Sequence, residues 1–275
     1  MLNLNLKRKL LLSVGMALIG VTLLLSGFAY RSLQEQVIDG SYQQISRLSA
    51  YSTNAISVWL KGKEDSLAAL FNSGKYLDPE TLALLCQSSD FVSIYHGDHQ
   101  GKMVDDDPES DAEDYKDYKP QEEKWFKAGL GQSRPVLTTP YLDETYTPAE
   151  IVLSVVQATP TGVLGGDITT QRVQQILAET HLPAKGFTIL VDETGNVVAY
   201  QDLKRVLKPL NELLKGVDTS KMSAFFKQKE PLEVSLDGET KLLWASPIAN
   251  SNWALLSLVD KSTLLAPLRQ QLLHQ

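Results

Sequence analysis

The sequence predicts an α+β fold in which one membrane-spanning helix leads into a long helix that carries two modules built on antiparallel sheets. Three observations carry this. Residues 10–29 form an uncharged apolar run, residues 31–72 show helical apolar spacing without proline, and the remainder alternates short strand-like runs with Pro/Gly turns and short helices. With 275 residues, 43% of them hydrophobic, the chain is long enough for one large domain or two smaller ones and too apolar for disorder.

The N-terminal element comes first. Lys7, Arg8 and Lys9 precede LLLSVGMALIGVTLLLSGFA, residues 10–29. Twenty helical residues at 1.5 Å each span about 30 Å, the thickness of a bilayer core. The basic triplet, in residues 1–9, is expected to stay cytoplasmic, sending everything after Tyr30 across the membrane. A cleaved signal peptide is the alternative, with Gly27-Phe28-Ala29 as a weak small-x-small site. Beyond the triplet, 23 basic residues face 33 acidic ones, so the exported part carries a net charge of −10. Such an acidic domain argues against a nucleic-acid partner.

The stalk follows at residues 30–72. Its only glycines are Gly40 and Gly62, and apolar residues recur at Val37, Ile38, Tyr42, Ile45, Leu48, Tyr51, Ala55, Val58 and Trp59. This ladder suits a homodimer seam or packing on the chain's own domain; both stay open.

Residues 73–180 read as a first module. A short helix lies around Leu82–Leu85, and FVSIYHGDHQGKM gives two strands around a turn. WFKAGL is helical, and RPVLTTPYLDETYTPAEIVLSVVQATPTGVLGGDITTQRVQQIL alternates strands and turns before closing in a helix. His181-Leu182-Pro183 marks a boundary. In residues 181–260, GFTILVDETGNVVAY gives two strands, KRVLKPLNELLKGV and SKMSAFFKQ are expected to be helical, and LEVSLDGETKLLWASPI contains an Asp-Gly hairpin. Residues 261–275 form a terminal amphipathic helix leading back to the membrane.

Several motifs together resemble one family. AISVWLKGKEDSLAAL resembles the end of its long helix, and YKPQEEKWFKAGL resembles its Tyr-Asp-Pro-Arg-x-Arg-Pro-Trp-Tyr-x-x-Ala motif. TTPYLDETYTPAEIVLSVV resembles its Pro-Tyr-x-Asp strand pair, and GVLGGDITTQRVQQIL its Gly-x-x-Gly-x-Asp segment. In this order, from residue 31 onward, they resemble the double Cache domain, the PAS-like extracytoplasmic sensor of bacterial methyl-accepting chemotaxis receptors. The resemblance implies a ligand-sensing module, not an enzyme, in the bacterial inner membrane with its sensor in the periplasm and the membrane-distal module binding the ligand.

What the resemblance implies for the site is residue-specific. Aromatic positions fall on Tyr118, Trp125, Phe126 and Tyr141, and ammonium-binding carboxylates on Asp143 and Asp167. Phe126 stands where the family has a tyrosine, Lys119 and Gln121 replace its Asp and Arg, and the carboxylate-binding Arg position is Glu123. An arginine offers a planar fork to a carboxylate, whereas Glu123 offers negative charge. A pocket that keeps its ammonium-binding features and loses its anion-binding one is expected to prefer an amine or polyamine. An amino acid is the alternative if Glu123 faces solvent and Lys124 or Arg134 takes over. Input to a sensor histidine kinase or diguanylate cyclase, or an anchored periplasmic binding protein, are the alternative functions.

Other chemistry finds little support. The loop DDDPESDAED, residues 105–114, fails the EF-hand pattern because Ser110 and Lys116 stand where Gly and Glu are needed, and a solvated insertion is expected. His96, His99, His181 and His274 form no metal-binding spacing, so no metal or other cofactor is expected. Gly162, Gly165 and Gly166 make no phosphate-binding motif, and Asp167 is expected to begin a helix cap. Cys86, the single cysteine, is expected to be a packed small hydrophobe, and Trp244 and Trp253 to be core residues of strands. No catalytic signature is present.

Overall fold

The computed structural model describes residues 6–268. Residues 1–5 of the basic N-terminus and 269–275 of the expected terminal helix lie outside the described residues. The span and the stalk are one continuous helix, α1, Leu6–Ser73. Its first part is long and apolar enough to cross a membrane and packs on nothing in the protein, with Leu24 76% and Phe28 75% exposed.

From Ile45 onward α1 buries one face. Ile45, Ser49, Ser52, Ile56, Leu60, Lys63, Leu67 and Leu70 are all buried at three- and four-residue spacing. The face is rotated from the one the apolar residues suggested, since Tyr51 and Val58 point outward. Serines take buried positions because small side chains let the helix approach closely. The Ser49 hydroxyl lies 2.8 Å from that of Ser257, and Ser52 lies 2.6 Å from Thr180. This face rests on the chain's own modules and is not free for a second copy.

The first sheet has β1 (Ser93–Asp98), β2 (Met103–Asp105), β3 (Val136–Leu137), β4 (Tyr141–Asp143), β5 (Glu150–Ala158) and β6 (Gly162–Thr169). All pairings are antiparallel, in the order β2-β1-β6-β5-β3, with β4 also on β5. Strand alternation then decides what each face does. Ile94, Leu153, Val155, Leu164 and Ile168 pack with Ile56, Leu60, Leu67 and Leu70 of α1. Leu82 and Cys86 of α2 (Pro79–Ser89) and Val173, Ile176 and Leu177 of α4 (Gln171–Glu179) join the same core. Each fully buried Leu or Ile contributes about 1.5–3 kcal/mol. The opposite face carries Tyr95, Val156 and Val163 against Trp125 and Phe126 of α3 (Lys124–Gly129), and it holds the polar residues of the site.

Lys63 ties α1 to the C-terminus of α2, donating to the carbonyls of Ser89 and Asp90, which the helix cannot satisfy internally. Cys86 is buried, donates to the Phe91 carbonyl at 3.2 Å, and has its thiol pushed up to about 12 by burial, in line with a packing role.

The second sheet runs β8 (Val197–Ala199), β7 (Phe187–Val191), β11 (Ala254–Asp260), β10 (Glu239–Pro247) and β9 (Leu232–Leu236). Asp237 and Gly238 have φ of 50° and 84°, the left-handed pair that a two-residue hairpin needs. Between β8 and β9 the expected helices shrink to single turns, α5 (Leu210–Leu213) and α6 (Met222–Phe225). Pro209, Gly216 and the Asp218 cap break the helical run, and tertiary burial of Leu210, Leu214, Met222 and Phe225 decides the rest. Trp244 is buried in β10, whereas Trp253 is buried just ahead of β11. After β11, Asp260 caps α7 (Lys261–Leu264) by accepting from the Thr263 amide at 2.6 Å, and residues 266–268, where the described residues end, are helical again.

Candidate functional site

The site grows from one rank of the first sheet. Ser93, Asp167 and Ser154 stand side by side on β1, β6 and β5. Alternation turns them toward the face not covered by α1, and Tyr95 lies two residues along on β1. Asp167 therefore belongs to a strand and does not cap α4, whose cap position is Thr170. Gly165 makes room for Tyr95, because a Cβ there would lie 2.5 Å from the tyrosine ring.

Asp167 is 2% exposed. Its Oδ1 accepts from the Tyr95 hydroxyl at 2.5 Å and the Ser154 hydroxyl at 2.7 Å, and its Oδ2 accepts from Tyr146 at 3.0 Å. With its proton committed to Asp167, Ser154 is left to accept from the Tyr141 hydroxyl, 2.7 Å away. Burial pushes the Asp167 carboxyl up to about 6, against the three hydroxyl donors, and the nearby Asp143 adds to the rise. No lysine or arginine pairs with it among the described residues.

In front of this rank lies a chamber of about 380 Å³. Tyr118, Trp125, Asp143 and Asp167 line it, four of the seven residues singled out by sequence. Tyr118 accepts a hydrogen bond from Trp125 Nε1 at 3.0 Å, and Trp125 meets Tyr95 edge-on with centroids 4.7 Å apart. The other three do not line it. Phe126 faces the core and packs edge-on to His99, and Tyr141 sits behind Ser154. Glu123 is half-buried at the N-terminus of α3, with its carboxyl raised by burial and then by Asp143.

Sequence reasoning missed Tyr95, Tyr146 and Tyr115 in the wall. Tyr95 was legible as an inward position of β1; Tyr146 gave no signal because it follows the Asp143 turn in an irregular segment. The acidic loop is largely exposed from Asp107 to Asp114, as a solvated insertion would be, but it also reaches the site. Asp105 and Asp114 line the chamber, Asp105 accepts from the Tyr115 hydroxyl, and Asp106 accepts from the Ser93 hydroxyl at 2.6 Å and the Ile94 amide at 3.0 Å. Asp105 and Asp106 are held at the wall because the Tyr115 and Ser93 hydroxyls and the Ile94 amide give them donors, whereas Asp114 lines it from an exposed position.

The chamber thus carries four carboxylates, Asp105, Asp114, Asp143 and Asp167, with aromatic walls and no lysine or arginine in its lining. Chemically it can take a positive group through charge-assisted hydrogen bonds and cation–π contact. An adjoining outer cavity of about 700 Å³ shares Met103, Asp105, Tyr115 and Tyr118 with it and adds Lys102, Lys116 and Lys119.

Comparison with known proteins gives the chain a family. The sequence pattern that defines the Cache domain matches residues 29–268. The chain is 31% identical over 176 residues to the methyl-accepting chemotaxis protein McpG of Pseudomonas putida, covering 63% of this chain and 27% of that protein. It is 25% identical over 286 residues to the methyl-accepting chemotaxis protein PctB of Pseudomonas aeruginosa, covering 97% of this chain and 43% of that one. The chain therefore spans less than half the length of these relatives. The ligand-binding domain of PctB with L-glutamine superposes with a TM-score of 0.62 at 25% identity, covering 82% of this chain and 93% of that one. That of the Pseudomonas fluorescens chemoreceptor CtaA with L-alanine does so with a TM-score of 0.64 at 24% identity, covering 81% and 98%.

Proposed function

The chain belongs to the Cache domain family, and from that premise we propose that it is the extracytoplasmic sensor of a chemoreceptor, taking up a small molecule through its ammonium group in the chamber at Asp143 and Asp167. The observation that carries this is the lining: four carboxylates and aromatic faces without a basic residue. Residues 10–29 anchor it in the inner membrane, the modules face the periplasm, and the outward face of α1, with Tyr51 and Val58 exposed, serves as the homodimer seam.

An amino acid is the ligand class the comparisons favour. The PctB domain, 25% identical, is solved with L-glutamine and with L-arginine, so the amine preference expected from Glu123 takes second place. One observation still supports that second reading. The charged groups that the chamber offers a ligand carboxylate are all negative, and burial and then Asp143 raise the carboxyl of the neighbouring Glu123. An amino acid would direct its carboxylate toward the outer cavity and its lysines; a plain amine has no such need.

A thermal-shift screen of residues 31–275 against L-glutamine, L-arginine and their decarboxylated counterparts tests both. Ligand at 100 times its dissociation constant stabilises by about 2.7 kcal/mol. Shifts with the amino acids alone support the first reading and shifts with the amines alone the second; no shift with any of them removes the proposal.

A further inference from the structure

We propose that Tyr146 determines the affinity of this chamber for cationic groups, by holding one oxygen of Asp167 and thereby fastening the segment 144–149 to the chamber wall. This rests on the reading of the chamber as the ligand site.

The two oxygens of Asp167 are held differently. Oδ1 is bonded by Tyr95 and Ser154, both buried on neighbouring strands of the sheet. Oδ2 is bonded by Tyr146 alone, from the irregular segment joining β4 to β5. Every other residue from Glu144 to Ala149 is exposed, and only Tyr146 is half-buried. Tyr146 and Thr145 both line the chamber, and Thr145 is fixed to Asp143 through its amide at 2.8 Å and its hydroxyl at 2.6 Å. Each carboxylate expected to receive an ammonium thus holds one residue of the same short segment. A ligand that settles on Asp143 and Asp167 meets a strap already tied to both.

Two consequences follow from this geometry. The Tyr146 hydroxyl favours the charged form of Asp167, as does any donor to a carboxylate. It is also the donor least constrained by the sheet, so it is the one able to yield as a ligand enters or leaves. The other titratable groups around Asp167 are Tyr95 of β1, Tyr141 and Asp143 of β4, Tyr118 ahead of α3, and Asp105, Asp114 and Tyr115 in the same chamber lining. Asp143 opposes ionisation of Asp167, which the hydroxyl donors sustain.

The test is Tyr146→Phe in the full chain, which removes one oxygen from an exposed segment and leaves the ring in place. The carboxyl of Asp167 is followed by NMR as pH is varied, without ligand, in wild type and variant. The midpoint is expected to move upward in the variant, and an unmoved midpoint overturns the proposal whether or not any ligand has been found. With L-glutamine, L-arginine and 1,4-diaminobutane as probes, whichever binds wild type should bind the variant about tenfold more weakly at pH 7 and dissociate faster. Equal affinity and dissociation rate in both proteins would also overturn it. Failure of wild type to bind any probe would count against the chamber as an amine or amino-acid site, and the ligand-free titration would still decide the role of Tyr146.

Discussion

Acidifying the medium should empty this chamber of cationic ligand, and Asp167 sets where. Its carboxyl is raised to about 6 by burial. At pH 7.5 it is almost fully ionised, and at pH 5 only about one molecule in eleven keeps the charge. A ligand ammonium stays protonated across that range, so affinity should fall about tenfold between the two conditions. Isothermal titration with the ligand found by screening, at both pH values, gives the ratio. Near pH 6, binding should also release a fraction of a proton, visible as a dependence of the heat on the buffer used. Asp167→Asn keeps the shape, removes the charge, and should weaken binding at pH 7.5 by 2–5 kcal/mol while flattening the pH profile. The sign for stability runs the other way. A carboxyl raised in the folded state keeps its proton longer than in the unfolded chain, so without ligand Asp167 adds stability as pH falls from about 6 toward 4. The Asn variant should lack that gain. Affinity that stays constant from pH 7.5 to 5 in folded wild type, or a variant with the wild-type pH profile, would refute the reasoning.

Gly165→Ala should cost about 1–3 kcal/mol in chemical denaturation and weaken ligand binding as well, because the new Cβ would lie 2.5 Å from the Tyr95 ring that holds Asp167. Ile56→Ala should cost about 2–5 kcal/mol, whereas Tyr51→Ala, one and a half turns away on the exposed face, should stay within about 0.5 kcal/mol. Equal effects would mean that the buried face of α1 is misplaced. Glu123→Arg should raise affinity for L-glutamine relative to its decarboxylated analogue, read by the same thermal-shift series. An unchanged ratio would place Glu123 outside ligand recognition.

The elements that the sequence made legible are those with strong local signals. The uncharged run before Tyr30, the proline-free helix, and the Asp237-Gly238 turn each depend on neighbours in the chain. The face of α1 did not follow from apolarity alone, because Ser49 and Ser52 are buried by partners more than a hundred residues away. The site split in the same way. Trp125, Asp143 and Asp167 were found through motifs, but Tyr146 and the wall-forming side of the acidic loop depend on hydrogen bonds across the sheet. The helices expected after β8 failed for a related reason, since four apolar side chains find the second core from separate single turns.

The continuity of α1 fixes an angle as well as a distance. Its 68 residues run about 100 Å without a break, so the apolar segment and the buried face below it share one helical phase. Each residue added between Tyr30 and Ile45 would advance the two against each other by about 100° and 1.5 Å, while seven would bring them back to within about 20°. Sensors that differ by a heptad in this stretch would present the chamber to the membrane with the same azimuth. Those that differ by one or two residues would present it turned away.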